Sequence, residues 1–309
     1  DTPKKQRGLH RRDRVYQRSI NDNVLYPEMT RHFIYDNWAC QTGKGPDKAR
    51  DRVKKMLRKY YVNHGTSEGW ILQTDVKGYY PNMSHAAVKN NFKEYLPKDV
   101  HEMICDVLDT QYKGETGYNP GSQMVQIAGI SLLDKTDHYI KEVLHQKYYL
   151  RYMDDSMMIT QTKEELESVL ENLERKMKEV GCILNKKKTQ IVPLSKGFTF
   201  LGFKYRLTET GKVVMLLTPE NIKHERRKLR KMVAKTKRGG MERSKVDECY
   251  RSWKNHASKG NSYMLLRRMD KYYKELWKGA NKNVLHKKDP VYQTGKGNGN
   301  PQGKSGKTA

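Results

Sequence analysis

The sequence lacks the signatures of several protein classes. Its four cysteines, Cys40, Cys105, Cys182 and Cys249, are far apart and form no CxxC or Cys/His cluster. This spacing argues against a zinc site and predicts reduced thiols in a cytoplasm-like compartment. No apolar run approaches the roughly 18 residues that span a bilayer, and no signal peptide or lipidation motif is visible. We therefore expect no membrane partner.

Acidic residues are scarce relative to basic ones. The 309 residues include 61 Lys plus Arg against 35 Asp plus Glu, a formal net charge of +26. Such a surplus attracts polyanions, and the 20 tyrosines offer aromatic faces that stack on bases. Composition therefore favours a nucleic acid as partner. A merely soluble basic protein is the alternative.

A complete phosphate-binding loop is also absent. The GKG at residues 43–45 matches part of one, but no GxxxxGK[ST] follows, which excludes a P-loop NTPase. Residues 46–62 predict an amphipathic helix that begins at Pro46. Four cations of this region are candidates for binding a triphosphate, or form a solvated surface instead: Lys44, Lys48, Arg50 and Arg52.

Three carboxylates are present at the ends of predicted strands. Asp154 and Asp155 separate two apolar runs in YYLRYMDDSMMIT, residues 148–160, which predicts a tight turn between antiparallel strands. Asp75 closes a strand in WILQTDV, residues 70–76. Carboxylates beside buried strands are costly unless a cation neutralises them, and three from neighbouring strands suit a two-metal site. An exposed Asp-Asp turn is the alternative.

Further elements follow from periodicity and capping. Ser84 is the predicted N-cap of one helix, and Gly181 ends an amphipathic helix that starts near residue 162. Residues 122–148 predict one long helix, in which Ala128 and Gly129 permit close packing. On it, Gln126 faces the site or is an ordinary polar position.

The C-terminal part is basic. Lys186, Lys187 and Lys188 form a solvated turn or contain a proton donor for a leaving pyrophosphate. The FTFLGF segment alternates and turns at Gly202. Basic helices are predicted from Thr218 onward, with a Gly239–Gly240 linker and an apolar core set. That set comprises Tyr250, Trp253, Tyr263, Leu266, Met269, Tyr273 and Trp277.

The order of these motifs resembles that of reverse transcriptases. Asp75 with Tyr80, then Pro120 and Gly121, then YMDD, LNKKKT and FLGF follow one another in the family's order. The chain is most similar to bacterial enzymes of group II introns, retrons and diversity-generating retroelements. The NPGSQMVQ segment is closest to the diversity-generating form, with Val125 in place of Ser. Defence-associated prophage enzymes are close competitors.

The resemblance implies an α+β right-hand polymerase, with fingers, a palm of antiparallel sheet and packed helices, and a small α-helical thumb. It divides the chain into an N-terminal arm and fingers (1–70), a palm strand with the first metal ligand and adjoining helices (71–117), a palm with the YMDD hairpin and primer grip (118–214), a helical thumb (215–285) and a basic disordered tail (286–309).

The resemblance also implies residue roles. Asp75, Asp154, Asp155 and the Val76 carbonyl would bind two Mg²⁺, with Mn²⁺ as a substitute, and Lys188 would be a catalytic acid. Tyr80 would exclude a ribose 2′-hydroxyl. The expected dNTP-binding set is Tyr79, Tyr80, Gly121, Gln126, Lys44, Lys48 and Arg50. The expected primer-binding set is Tyr152, Met153, Phe200, Leu201, Gly202 and Phe203.

The implied function is RNA-templated DNA synthesis in the cytoplasm of a bacterial or phage-infected cell, within a retroelement or phage-defence ribonucleoprotein. Its partners would be an RNA template, a DNA or RNA primer and dNTPs, with a noncoding RNA and a small basic accessory protein. Two alternatives are a noncatalytic RNA-binding scaffold and an RNA-dependent RNA polymerase. The three carboxylates argue against the first and Tyr80 against the second.

Overall fold

A computed structural model describes residues 11–278 of the chain. Its helices are α1 (Arg11–Ile20), α2 (Tyr26–Thr30), α3 (Pro46–His64), α4 (Tyr79–Asn82), α5 (His85–Lys93), α6 (Lys98–Gln111), α7 (Gln123–Ser131), α8 (Asp134–His138), α9 (Lys163–Glu179), α10 (Pro219–Lys237), α11 (Arg243–Ala257) and α12 (Tyr263–Lys278). Its strands are β1 (Trp70–Thr74), β2 (Tyr148–Tyr152), β3 (Asp155–Thr160), β4 (Gln190–Pro193), β5 (Phe198–Phe200), β6 (Phe203–Leu207) and β7 (Val213–Leu217). The predicted mixture of helices and antiparallel strands is confirmed.

A four-stranded antiparallel sheet in the order β2-β3-β1-β4 separates two cores. Because successive strand residues point to opposite faces, Leu72 and Met158 enter the core that contains α5 to α9. Ile71 and Met157 enter the core that contains α3. Burial on both faces explains the nearly continuous apolar runs of β2 and β3.

A second antiparallel sheet, β5-β6-β7, packs with α10 to α12 and α3 around the second core. The β5–β6 turn has positive φ at Leu201 (46°) and Gly202 (82°). Glycine tolerates this left-handed region, so the predicted turn at Gly202 is confirmed.

Several predicted helix ends are confirmed. Pro46 begins α3, and the Ser84 hydroxyl accepts a hydrogen bond from the Ala87 amide at the start of α5 (3.2 Å). Gly181 has φ 73° just after α9, where a left-handed residue ends a helix without steric cost. These local rules positioned the helix boundaries because each acts within one turn of the chain.

The single helix predicted for residues 122–148 is wrong. The chain turns at Leu132 and Leu133 between α7 and α8, and the π-helical turn Tyr139–Val143 follows α8. The interruption places the buried carboxylates Asp134 and Asp137 inside the protein. Asp137 pairs there with the buried Arg151, a tertiary contact that local periodicity does not reveal.

The basic helix predicted after the Gly239–Gly240 linker is split by a turn at residues 258–262 into α11 and α12. Tyr263, expected in the core, is 72% exposed at the start of α12. The predicted basic tail lies outside the described residues. Within residues 11–278, no helix is both long and apolar enough to cross a membrane.

Candidate active site

Strand register brings Asp75 and Asp155 face to face. Thr74 pairs with Ser156 across β1 and β3, and their hydroxyls are 2.6 Å apart. Asp75 follows Thr74 and Asp155 precedes Ser156, so antiparallel pairing places both carboxylates at one end of the sheet. Asp154 occupies the adjoining β2–β3 turn.

The loop that follows α9 binds both the side-chain carboxylate and the backbone carbonyl of Asp75. Lys188 Nζ lies 2.7 Å from Asp75 Oδ1, and Asn185 Nδ2 donates to Oδ2 (3.0 Å). The Asn185 amide donates to the Asp75 carbonyl (2.7 Å). Val76 forms a bridge with Leu184. The LNKKKT motif therefore positions the first carboxylate, and Asn185 is a residue that sequence reasoning missed.

The carboxylates perturb one another. Burial, and then the charges of Asp154 and Asp75, raise the pKa of Asp155 to about 6. Burial and Asp75 also raise the pKa of Asp154. The hydrogen bond with Asp75 raises the pKa of Lys188, which keeps its ammonium charged. One lysine thus faces three acids.

A divalent cation fits the chemistry of this donor set, because carboxylate oxygens are the ligands that Mg²⁺ prefers. No three His, Cys, Asp or Glu side chains of residues 11–278 are already arranged to hold a metal ion. Asp75 is instead bonded to Lys188 and Asn185. Metal binding would therefore require Asp75 to exchange the Lys188 contact for the cation.

The β2–β3 turn is strained, and a side-chain hydrogen bond stabilises it. Met153 has φ 59°, a left-handed conformation that costs a non-glycine residue about 1 kcal/mol or more. Arg151 Nη1 donates to the Met153 carbonyl (2.8 Å). The carboxylate turn therefore depends on a side chain two residues upstream.

Arg151 belongs to a fully buried network that sequence reasoning missed. Its Nε and Nη2 bind both oxygens of Asp137, at 2.7 Å and 2.6 Å for the shortest contacts. Nη2 also donates to the Ile130 carbonyl (2.8 Å), and the Tyr149 hydroxyl donates to Asp137 (2.5 Å). Burial would lower the pKa of Arg151, but Asp137 raises it, so the guanidinium remains charged.

The two tyrosines after Asp75 differ in exposure. Tyr79 is buried, and its hydroxyl donates to the Gly129 carbonyl (2.5 Å). Tyr80 is half-buried, and its hydroxyl lies 3.3 Å from Met153 Sδ. A Cβ on Gly129 would lie 3.0 Å from the Tyr80 hydroxyl oxygen and 3.2 Å from its ring. Gly129 therefore leaves room for Tyr80 beside the carboxylate turn, in agreement with the small residues predicted there.

The cations of the predicted dNTP set make contacts within the protein. Arg50 is buried, donates to the Leu201 carbonyl (3.1 Å), and stacks on Phe203 with 5.1 Å between the guanidinium and the ring centre. It positions the β5–β6 turn and is not available to a triphosphate. Lys44 donates to the Asn37 carbonyl (2.7 Å), and Lys48 donates to the Gly43 carbonyl.

The remaining two dNTP candidates border open space. Gln126 donates to the Pro120 carbonyl (3.4 Å) and lines a cavity of about 540 Å³ with Arg18, Tyr26 and Cys40. Gly121 is exposed, and the nearest atom to a Cβ placed there is 3.7 Å away. Both positions allow a ligand to approach the N-terminal end of α7.

The predicted primer-binding residues separate into core and surface. The Phe200 and Phe203 side chains are buried in the second core, so they support the turn and cannot touch a primer. Leu201 and Gly202 are half-buried at its tip. Tyr152 is also half-buried, next to Met153 at the end of β2.

Removing one member of the buried ion pair should destabilise the protein strongly. Asp137→Ala leaves the Arg151 charge buried and unpaired, and we expect a loss of about 3–5 kcal/mol in the free energy of unfolding. Arg151→Met combined with Asp137→Leu should recover most of that loss. Urea unfolding followed by circular dichroism measures both. A double variant less stable than Asp137→Ala would contradict the assignment.

Burial of Asp155, together with repulsion from Asp154 and Asp75, should make the metal-free protein less stable above pH 6. The folded pKa of Asp155, about 6, exceeds its ordinary value of 3.8, so stability falls as pH rises through this interval. Asp155→Asn should therefore stabilise the protein at pH 7.5 in EDTA, by about 1 kcal/mol after allowance for solvent screening.

The gain should shrink at pH 5, where Asp155 is protonated in the folded wild type. Urea unfolding at both pH values checks this, with Asp99→Asn as a control because Asp99 is exposed on α6. A variant less stable than wild type at pH 7.5 would refute the repulsion.

Comparison with known structures gives similarity to telomerases. Apo telomerase from Candida tropicalis, truncated of its C-terminal domain, is 17% identical with a TM-score of 0.46, over 66% of this chain and 45% of that one. Telomerase from Candida albicans with a fragment of telomeric RNA is 11% identical with a TM-score of 0.47, over 71% and 40%. The chain thus spans less than half of either protein.

Comparison by sequence gives the family. No curated protein matches the chain in sequence. The model of the reverse transcriptase (RNA-dependent DNA polymerase) family matches residues 3–205, which is more than half of the 309 residues. This match supports the α+β right-hand polymerase fold expected from the motifs. The chain belongs to the reverse transcriptase family.

Proposed function

We propose that this chain synthesises DNA on an RNA template by transferring nucleotides from dNTPs to a primer 3′-hydroxyl. The observation that carries the proposal is the convergence of Asp75, Asp154 and Asp155 at one end of the sheet, in a member of the reverse transcriptase family. Three neighbouring carboxylates repel one another, which gives a binding scaffold no advantage. Nucleotidyl transfer, in contrast, needs acidic ligands for cations.

In this proposal the three carboxylates and the Val76 carbonyl hold two Mg²⁺ ions, for which Mn²⁺ can substitute. When bound, the cations lower the pKa of the primer hydroxyl and neutralise the triphosphate. Asn185 orients Asp75 by binding its Oδ2 and its carbonyl. Arg151 sets the turn that carries Asp154 through the Met153 carbonyl.

Lys188 serves as the proton donor to the leaving pyrophosphate. The hydrogen bond with Asp75 raises its pKa, so the ammonium holds a proton to donate. Release from Asp75 would lower that pKa towards the operating pH, which favours a general acid. The side chain is 64% exposed although its Nζ contacts Asp75. The ammonium can therefore move to an incoming triphosphate when Asp75 takes up a cation.

Tyr80 provides selection against ribonucleotides. Its ring lies between Gly129 and Met153 at the edge of the carboxylate turn, where a sugar attached to a metal-bound triphosphate would meet it. Steric exclusion of a 2′-hydroxyl then favours dNTPs. Gly121 and Gln126 leave space for the nucleotide at the start of α7.

The cellular role follows from the motif resemblance. We place the chain with bacterial enzymes of group II introns, retrons and diversity-generating retroelements. The proposed setting is a cytoplasmic retroelement or phage-defence ribonucleoprotein with a noncoding RNA and a small basic accessory protein. Sequencing RNA that copurifies with the chain tests this setting: recovery of one defined noncoding RNA supports it, and a random RNA mixture contradicts it.

Primer extension tests the activity. With an RNA template, dNTPs and Mg²⁺, wild type should extend a primer, and Asp75→Asn or Asp154→Asn should be about a thousand-fold slower, because each removes a metal ligand worth several kcal/mol. Asp99→Asn, which changes an exposed acid on α6, should retain the wild-type rate. Equal rates for wild type and both site variants would overturn the proposal.

Replacing Tyr80 should relax sugar selection. Tyr80→Ala opens the space above Gly129, and we expect about a ten-fold rise in ribonucleotide use relative to dNTP use. Tyr80→Phe keeps the ring and should discriminate as wild type does. Single-nucleotide extension with matched dNTP and NTP measures the ratio of kcat/KM values. An unchanged ratio in Tyr80→Ala would contradict the gate.

A further inference from the structure

A second cavity, of about 290 Å³, lies between α3 and the segment before it. Its lining mixes aromatic and charged side chains: Tyr35, Trp38, Lys48, Asp51, Arg52 and Lys55. None of these residues belongs to the carboxylate site. We call this cavity the edge cavity.

The edge cavity lies beside the outer strand of the four-stranded sheet. The Arg151 amide donates to the Asp36 carbonyl, and the Trp38 amide donates to the Arg151 carbonyl, both at 3.0 Å. These bonds attach the segment to β2, whereas Asp75 follows β1, two strands away in the sheet order. At about 4.8 Å per strand, the cavity is separated from Asp75 by roughly 10 Å or more.

An exposed aromatic ring dominates the edge cavity. Tyr35 is 66% exposed, and the buried Trp38 meets it edge-on, with ring centres 5.5 Å apart at 85°. Arg52 approaches the Tyr35 ring at 5.1 Å and Lys44 approaches it at 5.6 Å. An exposed tyrosine held by three neighbours has little freedom to lose on binding.

The orientation of Arg52 is itself fixed. Its Nε and Nη2 bind the two oxygens of the buried Asp36 at 2.7 Å and 3.0 Å. Lys141 lies 3.3 Å from the same carboxylate. The ring and the guanidinium are thus preorganised by a buried acid.

Cations outnumber the single acid in the rest of the lining. Lys48, Arg52 and Lys55 are four and three residues apart on α3, so they share one face of the helix. The acid of the lining, Asp51, is paired with Lys54 at 2.7 Å. A polyanion that reaches Tyr35 would therefore find cations for its phosphates.

We propose that the edge cavity binds one unpaired nucleotide of a single-stranded RNA, whose base stacks on Tyr35 and whose phosphates contact Lys48 and Lys55. A cavity of 290 Å³ admits a single planar base, and a base stacked inside a duplex has no free face to offer. The inference rests on the proposed function in taking a nucleic-acid strand as partner. It adds a contact for the strand outside the carboxylate site.

Binding of a fluorescent single-stranded RNA, followed by anisotropy without dNTPs or Mg²⁺, tests the proposal in the full chain. Tyr35→Ala should weaken binding about ten-fold through lost stacking, and Tyr35→Phe should bind as wild type does. Lys55→Gln should lower the slope of log K against log salt by about 0.7, one phosphate contact. Lys98→Gln is the charge-matched control, because Lys98 is 90% exposed on α6.

Photocrosslinking gives a direct second readout. An RNA carrying 5-iodouridine should crosslink to Tyr35, identified by mass spectrometry of the digested protein. Binding of single-stranded DNA of the same sequence, measured in parallel, distinguishes the two kinds of strand. If DNA binds with equal affinity and Tyr35→Ala weakens its binding equally, the site does not select RNA and the RNA assignment is overturned.

Three results would overturn the proposal as a whole. The first is an unchanged affinity of Tyr35→Ala for single-stranded RNA. The second is an equal loss of affinity for duplex RNA in Tyr35→Ala. The third is displacement of the bound RNA by an acidic peptide but not by free single-stranded RNA. Because no synthesis is measured, failure of wild type in primer extension would refute the proposed function without altering this outcome.

Discussion

The buried ion pair between Arg151 and Asp137 connects the three parts of the site. The side chain of Arg151, a residue of β2, pairs with Asp137 on α8. It also donates to the carbonyls of Ile130 on α7 and Met153 in the turn. Its own amide and carbonyl bind Asp36 and Trp38. One residue therefore connects the helix layer, the carboxylate turn and the segment that builds the edge cavity.

Such a pair contributes position more than stability. The desolvation of two charges offsets most of their attraction, and apolar residues of equal volume often stabilise a core as well. A planar guanidinium, however, directs several hydrogen-bond donors in fixed directions. At Arg151 one of these donors binds the carbonyl of Met153, a residue with an unfavourable positive φ. The bond compensates for strain at the residue that precedes Asp154.

Sequence patterns predicted the parts of the site that depend on local rules. Apolar runs on either side of the Asp-Asp turn located β2, β3 and their hairpin. Capping residues located the ends of α3, α5 and α9. The grouping of Asp75 with the later hairpin came from the position of all three carboxylates at strand ends, and the family resemblance supported it.

The features that escaped prediction depend on contacts between distant residues. Arg50 is a residue type that often binds phosphate, yet its side chain is buried and donates to the carbonyl of Leu201, 151 positions away. The break between α7 and α8 contains neither Pro nor Gly, and the helix that follows it brings Asp137 against Arg151. An arginine within YYLRYM was a signal in the sequence, since a charge in a buried strand requires a partner.

The same geometry explains why the edge cavity and the carboxylate site are coupled through the backbone. Arg151 pairs with Asn37 on one side of β2 and with Ser156 on the other. Asp36, next in the chain, binds Arg52 and so holds the Tyr35 neighbourhood. A shift of β2 would therefore move Tyr35 and the Met153 carbonyl together. Because both sites are attached to one strand, a nucleic acid that touches both is held in a fixed register relative to Asp154 and Asp155.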